Sequence, residues 1–92
     1  MFGKINLVNF SGIIDMPPEV KTAWHDAFED YVGVSYKPLL YMADQVVNGV
    51  NYYFIAEQNF QTSPPFRRVV KLVIHADDNG VELVENSIKE IL

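Results

Sequence analysis

The chain has 92 residues, which is enough for one hydrophobic core and too few for two. Its formal net charge of −5 at pH 7 has the wrong sign for general attraction to a phosphate backbone, which argues against nucleic acid as a partner. The chain contains no cysteine, so it has no disulfide and no thiolate metal site, and packing alone must hold the fold.

The apolar residues occur only in short runs. No run approaches the ~20 residues of a membrane-spanning helix. Polar residues near the N-terminus also interrupt the apolar ones before a secretory core of ~7 to 15 residues can form. We therefore expect one cytoplasmic domain over residues 1–92, with no membrane partner.

The segment before the first proline pair is the least regular part of the sequence. Residues 4–14 alternate loosely between apolar and polar side chains, a pattern typical of extended backbone. The first 14 residues are therefore predicted to form an edge strand or an extended arm.

One helix is predicted at residues 17–32, where apolar side chains recur at the three-four spacing of a single buried stripe. The members of this stripe are Val20, Ala23, Trp24, Ala27, Phe28, Tyr31 and Val32. Pro17 and Pro18 suit a first helical turn, whose N–H groups lack intrahelical partners, and Gly33 suits the left-handed conformation that ends many helices. His25 falls on the polar face and is expected to be a solvated surface residue.

Four runs rich in β-branched and aromatic residues follow the helix and are separated by turn residues. The predicted strands cover residues 36–47, 50–58, 66–76 and the segment from residue 81. Asn48-Gly49 is the strongest hairpin signal, because both residues tolerate the positive φ of tight turns. A second Asn-Gly pair follows at residues 79–80. The last segment also fits a helix, since its apolar residues are spaced three or four apart, but the preceding turn favours a strand.

The third predicted strand indicates which of its faces is buried. The residues expected to face the helix are Val70, Leu72, Ile74 and Ala76. His75 is expected to point outward, satisfied or solvated, because no partner is set by spacing. The two histidines lie on separate elements and no nucleophile motif is present, so we expect neither an enzyme nor a cofactor or metal site. The predicted fold class is α+β, with one helix packed on a four- or five-stranded antiparallel sheet.

The sequence QVVNGVNYYF at residues 45–54 carries a resemblance to a known family. It resembles the signature of the cystatins, a Gln-x-Val-x-Gly loop that leads into an Asn-Tyr-Tyr strand. The predicted order of elements is also similar to that family, with an N-terminal arm, one helix and an antiparallel sheet that wraps around it. The resemblance covers most of residues 12–92 and implies a cystatin-like fold without disulfides.

Cystatins inhibit papain-like cysteine proteases reversibly and noncovalently, by filling the active-site cleft with the N-terminal arm and two hairpin loops. The resemblance implies the same activity for this chain, with such a protease as its partner. The residues that would contact the protease are Gly12, Gln45, Val46, Val47, Asn48, Gly49, Asp78, Asn79 and Gly80. Gly3 is the alternative to Gly12 as the glycine of the arm, since no motif sets the arm's register.

The second hairpin departs from the family pattern. Cystatins usually carry a Pro-Trp pair or another anchoring residue there, whereas this chain has DDNG at residues 77–80. The alternative hypothesis is therefore a non-inhibitory cystatin-like domain that binds another protein or a second copy of itself. On this hypothesis a strained first hairpin could exchange strands, so the chain would be a monomer or a strand-exchanged homodimer.

Overall fold

One helix and one antiparallel sheet make up the residues that the computed structural model describes, which are 5–7 and 16–91. Helix α1 covers Pro18–Phe28. The strands in chain order are β1 (Ile5–Leu7), β2 (Val34–Val47), β3 (Gly49–Phe60), β4 (Phe66–Asp77), β5 (Gly80–Leu83) and β6 (Lys89–Glu90). They are ordered β1-β2-β3-β4-β5, and β6 pairs with β4 further along the edge that β5 occupies. This arrangement confirms the predicted α+β class.

The helix lies on one face of the sheet and buries most of the stripe that its spacing predicted. Val20, Ala23 and Ala27 are buried on the helix. The sheet residues of the same core cluster are Tyr41, Phe54, Ala56, Val70, Leu72, Ile74 and Leu83. Burial of one large aliphatic or aromatic side chain contributes about 1.5–3 kcal/mol, so this layer is the main source of stability.

The inward face predicted for the third strand is confirmed for three of its four residues. Val70, Leu72 and Ile74 are almost fully buried, whereas Ala76 is half-buried near the end of β4. Along β4 the burial therefore alternates with the period of two that a half-covered sheet requires.

The helix ends earlier than the apolar stripe predicted, at Phe28 instead of residue 32. Tyr31 lies beyond the end of the helix but still packs against aromatic residues, with its ring centroid 5.5 Å from that of Phe28 and 6.1 Å from that of Tyr36. Val32 is 93% exposed and does not join the core. The prediction was wrong here because an aromatic residue in a connecting segment mimicked one more helical turn.

The segment after residue 80 forms two short strands instead of one continuous strand. β5 ends at Leu83, and a short 3-10 helix at Glu85–Ser87 separates it from β6. The backbone N–H of Val73 donates to Oγ of Ser87 at 2.9 Å, while that hydroxyl donates to the carbonyl of Val84. A side chain thus takes the place of a strand partner for β4, which explains the break between β5 and β6.

The connections lie at two opposite ends of the sheet. The β2–β3 and β4–β5 turns lie at one end, because Val50 is paired with Ala76 and Asp77 with Gly80. The link from α1 to β2 and the β3–β4 loop lie at the other end, where Val34 is paired with Phe60. At about 3.3 Å per residue, the 14 residues of β2 separate these ends by about 40 Å.

Candidate functional site at the hairpin end of the sheet

Three segments meet at the end of the sheet that carries the two tight turns. β1 pairs with β2 so that Ile5 lies opposite Gln45, two residues before the last residue of β2. The β2–β3 turn and the β4–β5 turn lie side by side on neighbouring strands. We call β1 and these two turns together the hairpin end. Nearly all the residues that sequence reasoning proposed for protease contact lie here.

Gly49 brings the two turns into backbone contact. A Cβ on this residue would lie 2.5 Å from the carbonyl oxygen of Ala76 and 2.9 Å from Cβ of Asp77, so a side chain does not fit. Its φ of +102° also favours glycine. The closeness of the turns therefore depends on glycine at this position.

The β2–β3 turn is tighter than the Asn48-Gly49 pair predicted. Val47 and Gly49 are register partners, so Asn48 alone spans the turn. No non-glycine residue among those described has a positive φ, so the glycine supplies the unusual conformation without Asn48. A one-residue turn leaves the backbone little freedom.

The exposed side chains of the first turn offer an apolar surface. Val46 is 57% exposed, and Val47 beside it is half-buried. Asn48 is exposed at the tip. An exposed valine at the end of a rigid hairpin gains free energy when a partner covers it, which makes Val46 the main candidate for an apolar contact.

Hydrogen bonds between side chains fix the base of the first hairpin. The hydroxyl of Tyr53 donates to Oε1 of Gln45 at 2.8 Å, which joins β3 to β2. The hydroxyl of Tyr41 donates to Oδ2 of Asp44 at 3.1 Å, and its pKa is raised mainly by burial and then by that carboxylate. Gln45 is thus held by Tyr53, another residue of the QVVNGVNYYF segment.

His75 joins both hairpins, which sequence reasoning did not anticipate. Its Nδ1 lies 2.7 Å from Oδ1 of Asn51, and its Nε2 lies 3.1 Å from Oδ2 of Asp77. His75 does point away from the helix, but its cross-strand partner was missed because the register of β3 against β4 cannot be read from spacing.

The second turn is polar and acidic. Asp78, Asn79 and Gly80 are all exposed, and the backbone N–H of Asn79 donates to Oδ1 of Asp77 at 2.8 Å. This N–H is the main reason that the pKa of Asp77 is lowered, and the hydrogen bond with His75 lowers it further. A cavity of about 250 Å³ lies beside the turn, lined by His75, Asp77, Asn79, Gly80, Val81 and Glu82. No aromatic or aliphatic anchor is present at residues 77–80.

The proposed arm glycines, Gly12 and its alternative Gly3, lie outside the described residues. Within residues 5–7 and 16–91, no three His, Asp or Glu side chains converge as a metal site would require. No helix in that part of the chain has the length and apolar character of a membrane span.

The comparisons with known proteins found no counterpart. No protein-family model, no curated protein and no solved structure matches this chain significantly. A proposal for function therefore rests on the geometry of the hairpin end and on the sequence of residues 45–54.

Proposed function

We propose that the protein is a reversible, noncovalent inhibitor of papain-like cysteine proteases, and that the hairpin end fills the active-site cleft of the protease. The main support is the packing of Gly49 against Ala76 and Asp77, which holds the two turns together at the end of the sheet where β1 meets β2. A narrow cleft can accept all three segments only if they lie side by side.

The rigidity of the hairpin end supports tight docking. The β2–β3 turn contains one residue, and side-chain hydrogen bonds join β2 to β3 through Tyr53 and β3 to β4 through His75. A surface that is already ordered loses little conformational entropy on binding, so more of the contact energy appears as affinity.

The first turn would provide most of the apolar contact. Among the side chains described at this end, Val46 is the most exposed large apolar one, whereas the second turn offers only carboxylates, an amide and a glycine. The lack of a buried anchor at an interface typically costs ~2 kcal/mol or more. We therefore expect inhibition whose affinity depends strongly on the first turn and weakly on the second.

The test is a titration of papain and other papain-like proteases with the wild-type protein, Val46→Asp and Val32→Asp. Val32 is the matched control, since it is a 93% exposed valine at the opposite end of the sheet. Burial of a valine contributes roughly 2 kcal/mol, so Val46→Asp should raise the inhibition constant about thirtyfold. Val32→Asp should inhibit as the wild type does. Removal of residues 1–12, which include β1, should also weaken inhibition.

Two results would refute the proposal. The first is equal inhibition by Val46→Asp and Val32→Asp, which would show that the first turn makes no contact. The second is cleavage of the wild-type chain within the hairpin end, detected by mass spectrometry of the intact protein, which would make it a substrate.

The uncovered edge of β2 favours the alternative of self-association, whereas two other features of that edge oppose it. β1 pairs only with residues 43–45 of β2, and no described strand covers the same edge of β2 at residues 34–42. Pro38 lacks an N–H, and the register shifts after Pro38 and after Tyr41 disturb the edge, features that oppose strand addition. Light scattering coupled to size-exclusion chromatography measures the molar mass and so distinguishes the two proposals. The inhibitor proposal predicts that the fractions that inhibit the protease contain the monomer, whereas self-association predicts a dimer.

A further inference from the structure

Two lysines face each other on the side of the sheet away from the helix. Lys71 on β4 and Lys89 on β6 are direct register partners in an antiparallel pair. Like charges placed opposite each other in such a pair are destabilising. The arrangement is unexpected in a chain with 12 acidic and only seven basic residues, where a carboxylate partner would be easy to provide.

Neither lysine is neutralised by a described side chain. The salt bridges in this part of the chain join Arg68 to Glu90 and His75 to Asp77, and no carboxylate of the described residues lies within 4.0 Å of the ammonium group of Lys71 or Lys89. Both lysines are exposed. Two unpaired cations close together attract an anion more strongly than either does alone.

A cavity of about 240 Å³ lies beside this pair, and we call it the lysine pocket. Its lining residues are Met42, Tyr53, Lys71, Leu72, Val73, Ser87 and Lys89. The side chains of the lining residues are apolar except for those of the two lysines, Tyr53 and Ser87. The hydroxyl of Tyr53 is held by Gln45, and that of Ser87 is held by Val73 and Val84, so both are occupied. The two lysines are therefore the charged side chains of the lining.

We propose that the lysine pocket binds an aliphatic carboxylate, whose chain lies against Met42 and Val73 while its carboxylate bridges Lys71 and Lys89. The cavity of about 240 Å³ has room for a short alkyl chain. Octanoate combines such a chain with a single carboxylate and is therefore the probe for this pocket.

The experiment is a titration of the ¹⁵N-labelled protein with octanoate, followed through the backbone amide signals of Val73 and Ser87. Acetate is the control for charge without a chain, and 1-octanol is the control for a chain without charge. Octanoate should shift these signals saturably and bind at least about tenfold more tightly than either control, because only octanoate makes both the apolar and the ionic contacts.

Three lysine variants localise the site. Lys71→Gln and Lys89→Gln should each weaken octanoate binding about tenfold or more, whereas Lys37→Gln, an exposed lysine on β2 outside the pocket, should bind as the wild type does. Lys71→Glu should abolish binding and raise the melting temperature of the free protein, because it turns the repulsive pair into an attractive one.

The proposal is overturned if the wild type shows no saturable binding of octanoate, if acetate binds equally well, or if the Lys71 and Lys89 variants keep wild-type affinity. The amide spectrum of each variant shows directly whether it is folded. The readout is independent of protease inhibition, so the two proposals can fail separately.

Discussion

Replacement of Gly49 by alanine should destabilise the protein more than the same replacement at Gly33, and the comparison tests how the hairpin end is held together. Both glycines have positive φ, +102° at Gly49 and +83° at Gly33. Their surroundings differ, because a Cβ at Gly33 meets nothing within 4 Å, whereas one at Gly49 collides with the backbone of Ala76. The backbone strain is therefore common to both variants, and the collision is specific to Gly49.

The size of the two effects follows from these contacts. A non-glycine residue forced into a sparsely populated backbone region costs roughly 1–3 kcal/mol, which is the expected loss for Gly33→Ala. Gly49→Ala adds an overpacking cost of about 1–3 kcal/mol, because the carbonyl oxygen 2.5 Å away belongs to the backbone of β4 and must move. For a domain of this size each kcal/mol lowers the melting temperature by about 4–8 °C.

The assay is urea unfolding followed by the fluorescence of Trp24, the single tryptophan, which packs with a ring-centroid distance of 4.8 Å against the buried Phe54. Gly49→Ala should unfold at a clearly lower urea concentration than Gly33→Ala. In protease titrations at a temperature where both variants are folded, only Gly49→Ala should inhibit less than the wild type. Equal destabilisation of the two variants would refute the packing argument, since strain alone would then account for both.

Three further predictions concern other parts of the fold. Because the folded-state pKa of Asp77 is lowered, its carboxylate contributes stability above about pH 4, and this stability is lost as the pH falls through that lowered pKa. When the midpoint of urea unfolding is measured from pH 2 to 7, Asp77→Asn should therefore reduce its fall at acid pH. Burial, together with a hydrogen bond to Glu85, raises the pKa of Tyr31 to about 12. The contribution of the Tyr31 hydroxyl to the free energy of unfolding is therefore complete below about pH 10 and is lost as the pH rises towards 12. Tyr31→Phe should reduce the slope of alkaline unfolding over that range. Gln58 is 4% exposed, accepts a hydrogen bond from Nε of Arg68 and donates one to the hydroxyl of Tyr36. Gln58→Leu should therefore lower the free energy of unfolding by about 1–3 kcal/mol, whereas Gln61→Leu, at an exposed loop position, should change it by less than about 0.5 kcal/mol; equal effects would show that the buried network is dispensable.

The features that could be predicted from the sequence are those that depend on local periodicity. Val20, Ala23 and Ala27 follow helical spacing, and Leu72 and Ile74 alternate along a strand. The sequence of each element is therefore enough to predict which of its faces is buried. The Asn-Gly pairs are local signals of the same kind, and both occur at hairpins. The fold class follows from such signals alone.

The features that could not be predicted depend on the pairing of distant residues. The contact between His75 and Asn51 requires the register of β4 against β3, which the intervening loop and the whole length of both strands determine together. The break after Leu83 requires Ser87 to reach the N–H of Val73 across the sheet edge. Local patterns carry no information on either contact.

Some features of the hairpin end follow from the topology of the sheet alone, and others do not. In an antiparallel meander successive turns alternate between the two ends of the sheet, so the β2–β3 and β4–β5 turns share an end whatever the protein does. The meander does not require a one-residue turn, a glycine in contact with the backbone of β4, or a histidine that joins the two hairpins. These features make the hairpin end rigid, and sheet stability alone does not require rigidity where the strands terminate. Variants of Val46 and Gly49 therefore test the inhibitor proposal, whereas the topology of the sheet does not distinguish an inhibitor from a domain that only shares its fold.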